Sequence, residues 1–101
     1  MRDCLVRRWW HSFEEDNGDE RVYRPAEFAF PPARGRAGFE LRSDGTLVDA
    51  PIGRGDAPRA DAGQWALAGD RLELTTARRR RVVIVVRCDD TVLVLREEGS
   101  A

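Results

Sequence analysis

The sequence contains no lysine and only one histidine, and these shortages exclude several kinds of chemistry. All 17 basic residues among the 101 are arginine, so Schiff-base formation and lysine general bases are excluded. One histidine and two cysteines that lie far apart in the sequence do not make a zinc site within one chain. No serine or cysteine lies in a glycine-flanked elbow that would present a nucleophile. We therefore predict no metal, no cofactor and no dedicated catalytic residue.

Long apolar runs are also missing. The longest is Val82–Val86, whereas a membrane-spanning helix needs about 20 apolar residues. The first ten residues lack the apolar core of a secretory signal. We therefore expect no membrane partner and a cytoplasmic location, in which cysteines stay reduced.

In a ring of hairpins Cys4 and Cys88 would also fall at opposite rims, too far apart to bond, so we expect free thiols.

Length and charge limit the chain to one small domain. At 101 residues, 42% of them apolar, residues 1–101 can bury one core. The 17 basic and 18 acidic groups give a net charge of −1, whereas nucleic-acid-binding domains are usually strongly basic. The run Arg78–Arg81 has no interleaved aromatic residues for base stacking, and it precedes an aggregation-prone valine run, where charges act as gatekeepers. We expect no nucleic-acid partner. The preference for arginine is typical of a GC-rich bacterial genome.

Turn signals recur about every ten residues, and short apolar segments alternate with them, which predicts an all-β chain. Apolar and charged residues also alternate within segments, so that Phe39 and Leu41 share one face while Glu40 and Arg42 share the other. Eight strands with one apolar face each hide their edges by closing into a barrel. We predict a single antiparallel up-and-down β-barrel of about eight strands, with at most one short helix, around Pro25–Phe28. The predicted strands are Cys4–Ser12, Arg21–Arg24, Ala37–Arg42, Thr46–Ala50, Gly63–Ala68, Arg71–Thr76, Arg80–Arg87 and Thr91–Glu97.

Several segments resemble a reduced lipocalin-type (calycin) barrel. These are Arg8-Trp9-Trp10, Gly63-Gln64-Trp65, the Asp-Gly and Gly-Asp hairpins, and a last strand, Val92–Arg96, that ends in arginine. In such barrels an arginine or lysine of the last strand packs on a tryptophan of the first. The resemblance implies a closing contact between Trp9 or Trp10 and Arg96, with Trp10 and Arg96 as the chosen pair. Parts of the chain between Trp10 and Arg36 also resemble hypothetical bacterial proteins, which implies no activity.

We predict that the barrel binds an apolar or amphipathic small molecule in its interior. A polar or anionic end of that ligand would reach the mouth. Two alternatives remain open: a solid-core protein-interaction domain without a ligand, and a cofactor-free isomerase or cyclase that uses His11 with Glu14, Glu40 or Tyr23. The enzyme alternative requires at least one of these four groups to point into a pocket with a perturbed pKa, and it fails if all four are exposed to solvent. The predicted ligand-binding residues are Trp9, Phe39, Trp65, Leu67, Leu74 and Leu95 inside, and Tyr23, Arg24 and Arg34 at the mouth.

Two further segments carry predictions about contacts. We interpret the acidic run Glu14–Glu20 as a solvated hairpin tip, or as one that pairs with Arg34 and Arg36, and His11 as a structural or rim histidine that is hydrogen-bonded to this run. Val82–Val86 is apolar on both faces, so its outer face needs a cover. The loop with Phe28 and Phe30 or a second chain would supply it, and we predict a homodimer through this strand.

Overall fold

The computed structural model describes residues 2–31, 36–50, 61–77 and 80–97. These residues form one closed barrel in which eight strands pair antiparallel with both neighbours. A short helix precedes the barrel and a 3₁₀ helix lies between its first two strands. The elements are α1 (Arg2–Leu5), β1 (Arg8–His11), the 3₁₀ helix Phe13–Glu15, β2 (Glu20–Pro25), β3 (Gly38–Leu41), β4 (Thr46–Ala50), β5 (Asp61–Ala68), β6 (Arg71–Thr76), β7 (Arg80–Cys88) and β8 (Leu93–Glu97).

The predicted all-β, antiparallel, eight-strand barrel is confirmed. Strands β4 and β6 begin and end where the pattern placed them, and each begins directly after a turn that contains glycine and aspartate. The first predicted strand is too long, since α1 occupies Arg2–Leu5 and the strand starts only at Arg8. No helix forms at Pro25–Phe28, where the chain makes a turn directly after β2. No helix among the described residues has the length and apolar character of a membrane span.

The strand order determines what lies at each end of the barrel. From β3 to β8 each strand pairs with the next one in the chain, and the hairpin β1–β2 closes the ring with β2 against β8 and β1 against β3. Because β1 is antiparallel to both β2 and β3, these two strands run in the same direction. The chain therefore travels the length of the barrel between β2 and β3. In a plain ring of consecutive hairpins β3 would run parallel to β1, but here it runs antiparallel to β1. Each strand from β3 to β8 therefore runs in the direction opposite to the one that such a ring would give it.

This order makes a disulfide bond between Cys4 and Cys88 possible, and the prediction of free thiols is wrong. The end of β7 lies at the same end of the barrel as the start of β1, and not at the opposite rim. The two Cα atoms are 6.2 Å apart, within the usual range for a disulfide. The bond ties α1 to the end of β7.

Helix α1 seals one end of the barrel, which we call the closed end and define by α1, the disulfide and Trp65. Leu5 is fully buried there, and its carbonyl accepts a hydrogen bond from Nε1 of Trp9 at 3.1 Å. The guanidinium of Arg2 lies 4.3 Å from the centroid of the Trp65 ring. A four-residue helix is not stable alone, so these contacts and the disulfide hold it in place.

Inward side chains fill the barrel. Cross-strand neighbours such as Trp65 and Leu74 face the same interior, and burying each large apolar side chain contributes about 1.5–3 kcal/mol. Gly63 allows β5 and β6 to approach closely, because a Cβ atom at that position would overlap the carbonyl of Thr75. The buried core consists of Leu5, Trp9, Tyr23, Phe39, Leu41, Leu47, Trp65, Leu72, Leu74, Val83, Val85, Leu93 and Leu95.

The acidic run is paired with arginines on the outside of the barrel. Arg36 makes two hydrogen bonds to the Glu14 carboxylate, at 2.6 and 2.8 Å, which confirms the predicted pairing; Arg34 lies outside the described residues. The Arg36 guanidinium also lies between the rings of Phe13 and Phe30. The loop after β2 is thereby fixed to the 3₁₀ helix.

The outer face of β7 keeps its apolar character. Val82 and Ile84 are half-buried, while 43% of Val86 is exposed. Phe28 and Phe30 contact each other, Arg24 lies over the Phe28 ring and Arg36 over the Phe30 ring. The homodimer through β7 stays a prediction.

Candidate ligand site at the polar end of the barrel

The end opposite α1 has polar side chains facing inward. It is the end at which β4, β6 and β8 finish and β5 and β7 begin. Polar groups here share the interior with the apolar core, whereas at the closed end α1 fills that space. We call this region the polar end and define it by His11, Tyr23, Asp49, Thr76, Arg81 and Glu97.

Arg81 is the central residue of the polar end. It lies opposite Leu74 in the β6–β7 register and lines the same cavity as that leucine. Its Nη2 atom donates to Oε1 of Glu97 at 2.7 Å. Burial acts to lower the pKa of Arg81, but the interactions with Tyr23 and Glu97 outweigh it and the net pKa is raised. The guanidinium therefore stays charged inside the barrel.

Tyr23 faces the interior of the barrel and is 5% exposed. Burial raises the pKa of its hydroxyl, with Arg81 acting in the opposite direction. The hydroxyl is therefore protonated at neutral pH. The ring stacks on His11 with centroids 5.1 Å apart and meets Phe39 at 4.9 Å. These neighbours hold the hydroxyl in a fixed position.

His11 is held at the rim by the acidic run, as predicted. Its Nε2 atom is 2.8 Å from Oδ2 of Asp16, and Oδ1 of the same carboxylate accepts the backbone N–H of Val22 at 2.9 Å. A carboxylate bound to one ring nitrogen favours the tautomer that carries the proton there and leaves the other nitrogen as an acceptor. His11 is thus a positioned, half-buried group.

The four groups of the enzyme alternative divide between the two sides of the sheet. Tyr23 is shielded in the interior, where burial raises its pKa, and His11 is half-buried. Glu14 is engaged by Arg36, and Glu40 faces outward, where it pairs with Arg8 and Arg42. Only Tyr23 and His11 remain as candidates for chemistry at the polar end.

A small cavity lies directly below Arg81. Its volume is about 10 Å³, which is room for about one water molecule. The described interior is therefore filled by side chains. Within the described ranges no group of three or more His, Cys, Asp or Glu residues is placed to hold a metal ion. The cavity is lined by Phe39, Leu47, Asp49, Leu74, Thr76 and Arg81.

The predicted ligand-binding residues separate into inner and outer groups. Arg24 lies outside, where it pairs with Glu15 at 2.7 Å and covers the Phe28 ring; it faces away from the interior because it is one residue past the inward Tyr23. Arg34 is not among the described residues. The inward residues are Trp9, Tyr23, Phe39, Trp65, Leu67, Leu74 and Leu95, of which Phe39 and Leu74 line the cavity.

The expected pair of Trp10 and Arg96 is replaced by a different contact. Arg8 lies over the Trp10 ring at 4.4 Å. In the strand register, Arg96 lies opposite Glu20 of β2 on one side and opposite Ile84 of β7 on the other. Since β2 separates the first strand from the last, Arg96 and Trp10 are not neighbours.

Sequence reasoning missed Arg81 and Glu97. Arg81 belongs to a run of four arginines, which reads as a solvated patch, but strict alternation from the buried Val83 places it on the inner face. Alternation from Leu95 does the same for Glu97. The alternation of inward and outward positions along β7 and β8 indicates both residues. Their charge, and for Arg81 the run of four arginines, suggests an exposed position instead.

The chain was compared with protein-family models, curated proteins and solved structures. Nothing matches. The resemblance to lipocalin-type proteins is therefore supported at the level of a closed, antiparallel, eight-strand barrel.

Proposed function

We propose that this protein is a small-molecule-binding, lipocalin-like barrel that takes an amphipathic ligand at its polar end. The observation that carries the proposal is Arg81, a charged side chain that faces the interior and is only 21% exposed. A half-buried charge that faces the core is costly to maintain, and a filled barrel needs none for its stability. An inward arginine at one end, with the other end sealed, is suited to holding a ligand.

The filled interior determines how such a ligand sits. A cavity of about 10 Å³ does not enclose an apolar molecule, so the ligand does not occupy a deep interior chamber. Its polar group would contact Arg81, and its apolar part would lie at the mouth of the barrel and not among Phe39, Leu47 and Leu74, which are at most 5% exposed. This differs from the interior binding that we predict from the sequence, because the tryptophans and leucines already occupy that volume.

A second function is favoured by one observation. The described core has no ligand-sized void, which is what a solid-core protein-interaction domain would show. The apolar outer face of β7 would then be the working surface. The ligand-binding proposal predicts that the isolated protein retains a small molecule, whereas the interaction proposal predicts that it retains a protein partner.

Native mass spectrometry of protein purified from its native source tests both. We expect a retained small molecule of defined mass in the wild type and its loss in Arg81→Met. Arg80→Met is the matched control, because Arg80 pairs with Glu73 on the outside of the barrel. A wild-type mass with no adduct, together with a protein partner that survives Arg81→Met, would replace ligand binding by the interaction function.

A further inference from the structure

We infer that the Cys4–Cys88 disulfide is a redox latch, and that its reduction by a dithiol releases α1 and opens the closed end of the barrel. With the bond formed, α1 is docked on the barrel. Its release takes Leu5 out of the core and uncovers the ring of Trp65. The barrel then has an opening opposite the polar end, and the redox state of two cysteines controls it.

The first argument is that α1 lies outside the hydrogen-bonded sheet. Each of the eight strands pairs with two neighbours, so the ring is closed without the disulfide. The bond joins β7, at Cys88, to α1, at Cys4. Breaking it therefore removes a constraint on α1 but removes no hydrogen bond of the sheet.

The second argument is the balance of forces on α1 once the bond is broken. A helix of four residues is not stable alone. Its noncovalent contacts include the buried side chain of Leu5, whose carbonyl accepts from Trp9. Arg2 also donates to the carbonyl of Ser43 at 2.7 Å. The conformational entropy that the docked segment gives up is comparable with what one buried leucine and two hydrogen bonds supply, so the released state is populated.

The third argument concerns where the released segment ends. Arg7 is held from two sides, because its guanidinium donates to the carbonyl of Asp90 at 2.8 Å and its own carbonyl accepts the backbone N–H of Leu41 at 3.1 Å. Neither contact involves α1 or a cysteine. The released segment is therefore residues 2–6, and β1 stays in the sheet.

The chemistry is thiol–disulfide exchange with a dithiol as the reductant. Cys4 and Cys88 are half-buried, so their sulfur atoms are not enclosed in the core. A thiolate of the reductant attacks one Sγ atom, the S–S bond breaks, and the other cysteine leaves as a thiolate that takes up a proton. The second thiolate of the reductant then attacks the mixed disulfide and closes into a cyclic disulfide. Two electrons pass to the protein, which ends with two thiols.

The experiment compares ¹⁵N relaxation in the oxidised protein and in the protein with dithiothreitol. We expect the backbone order parameters of residues 3–5 to fall from the rigid value of about 0.85 to below about 0.6, while β7 and β8 keep theirs. The indole N–H of Trp9 should shift as it loses the Leu5 carbonyl. That of Trp65 should keep its hydrogen bond to the carbonyl of Arg42. Unchanged order parameters in α1 would overturn the latch, and so would loss of the folded spectrum as a whole.

A reduction titration separates a latch from a permanent brace. In a latch Leu5 is buried only in the oxidised state, so Leu5→Ala destabilises that state alone. The ratio of dithiol to its disulfide at half reduction should then fall at least about tenfold, because Leu5 is fully buried. If α1 stays docked after reduction, both states are weakened equally, and an unchanged ratio would refute the release. Val48→Ala on the outer face of β4 is the control and should leave the ratio unchanged.

Cysteine variants complete the test. Cys4→Ala and Cys88→Ala should each show a mobile α1 without dithiothreitol and no response when it is added. A rigid α1 in either variant would contradict the latch. Should Leu5→Ala fail to fold, the relaxation comparison still decides the question, because it uses the wild-type chain in both redox states.

Discussion

Removal of the Cys4–Cys88 disulfide should cost a large part of the stability of this barrel. The bond joins residues 84 positions apart and so closes a loop that includes almost the whole chain. The loop-closure relation gives about 4.5 kcal/mol for a loop of this length, from the restricted entropy of the unfolded chain. Small domains have free energies of unfolding of about 5–15 kcal/mol, so the loss would leave a marginal fold.

Urea denaturation followed by tryptophan fluorescence measures this loss. The variants are Cys4→Ala, Cys88→Ala and the double variant, with the wild type in a dithiol reductant as the comparison without a mutation. Once either sulfur is gone the bond is gone, so both single variants and the reduced wild type should lose roughly 3–5 kcal/mol, with little further loss in the double variant. A loss below about 1 kcal/mol in all of them would refute the reasoning, since the bond would then not constrain the unfolded chain.

Three further predictions concern the sheet, the outer contacts and assembly. Gly63→Ala should destabilise the barrel by at least ~2 kcal/mol, because the added Cβ meets the backbone of Thr75; Ala66→Ser on the exposed face of the same strand should change the free energy of unfolding by less than ~0.5 kcal/mol. The pKa of Glu15 is lowered to about 2, first by Arg24 and also by Ser12, so its contribution to stability is complete above the ordinary value of 4.5 and is lost as the pH falls toward 2. The stability difference between wild type and Glu15→Gln should therefore shrink across that window in urea titrations at several pH values, and a constant difference would contradict the assignment. If β7 forms the predicted homodimer, light scattering should give twice the chain mass for the wild type and the single-chain mass for Ile84→Glu, while Val48→Glu on the outer face of β4 should keep the dimer; a monomeric wild type at high concentration would end that prediction.

The positions of the strands could be predicted because they depend on local signals. β4 is bounded by a turn with Asp44 and Gly45, and the carboxylate of Asp44 accepts the backbone N–H of Thr46 at 2.9 Å. Gly45 has φ of +91°, a conformation that glycine adopts without strain. Alternation then fixes which side chains face inward. The turns and the alternation depend only on residues that are adjacent in sequence, so they can be predicted without knowing which strands pair.

The order of the strands could not be predicted in the same way, and the disulfide was missed with it. Whether β2 pairs with β3 or with β8 depends on contacts between distant residues, such as Tyr23 with Leu93. The residues between β2 and β3 show a proline- and aromatic-rich connection, but their composition does not say that this connection runs the length of the barrel. The distance between Cys4 and Cys88 depends on that one fact.

The same strand order also assembles the polar end. In a plain ring of hairpins β7 would start at the end where α1 lies, and its Arg81 would face the N-terminal helix. Glu97 would end β8 at that same place, whereas His11 ends β1 at the opposite end in either arrangement. Because β2 and β3 run in the same direction, the pair of Arg81 and Glu97 instead reaches the end that holds His11 and Asp16. The connection between β2 and β3 therefore places the disulfide at one end of the barrel and the inward ionisable groups at the other. This is the end at which we propose that a ligand binds.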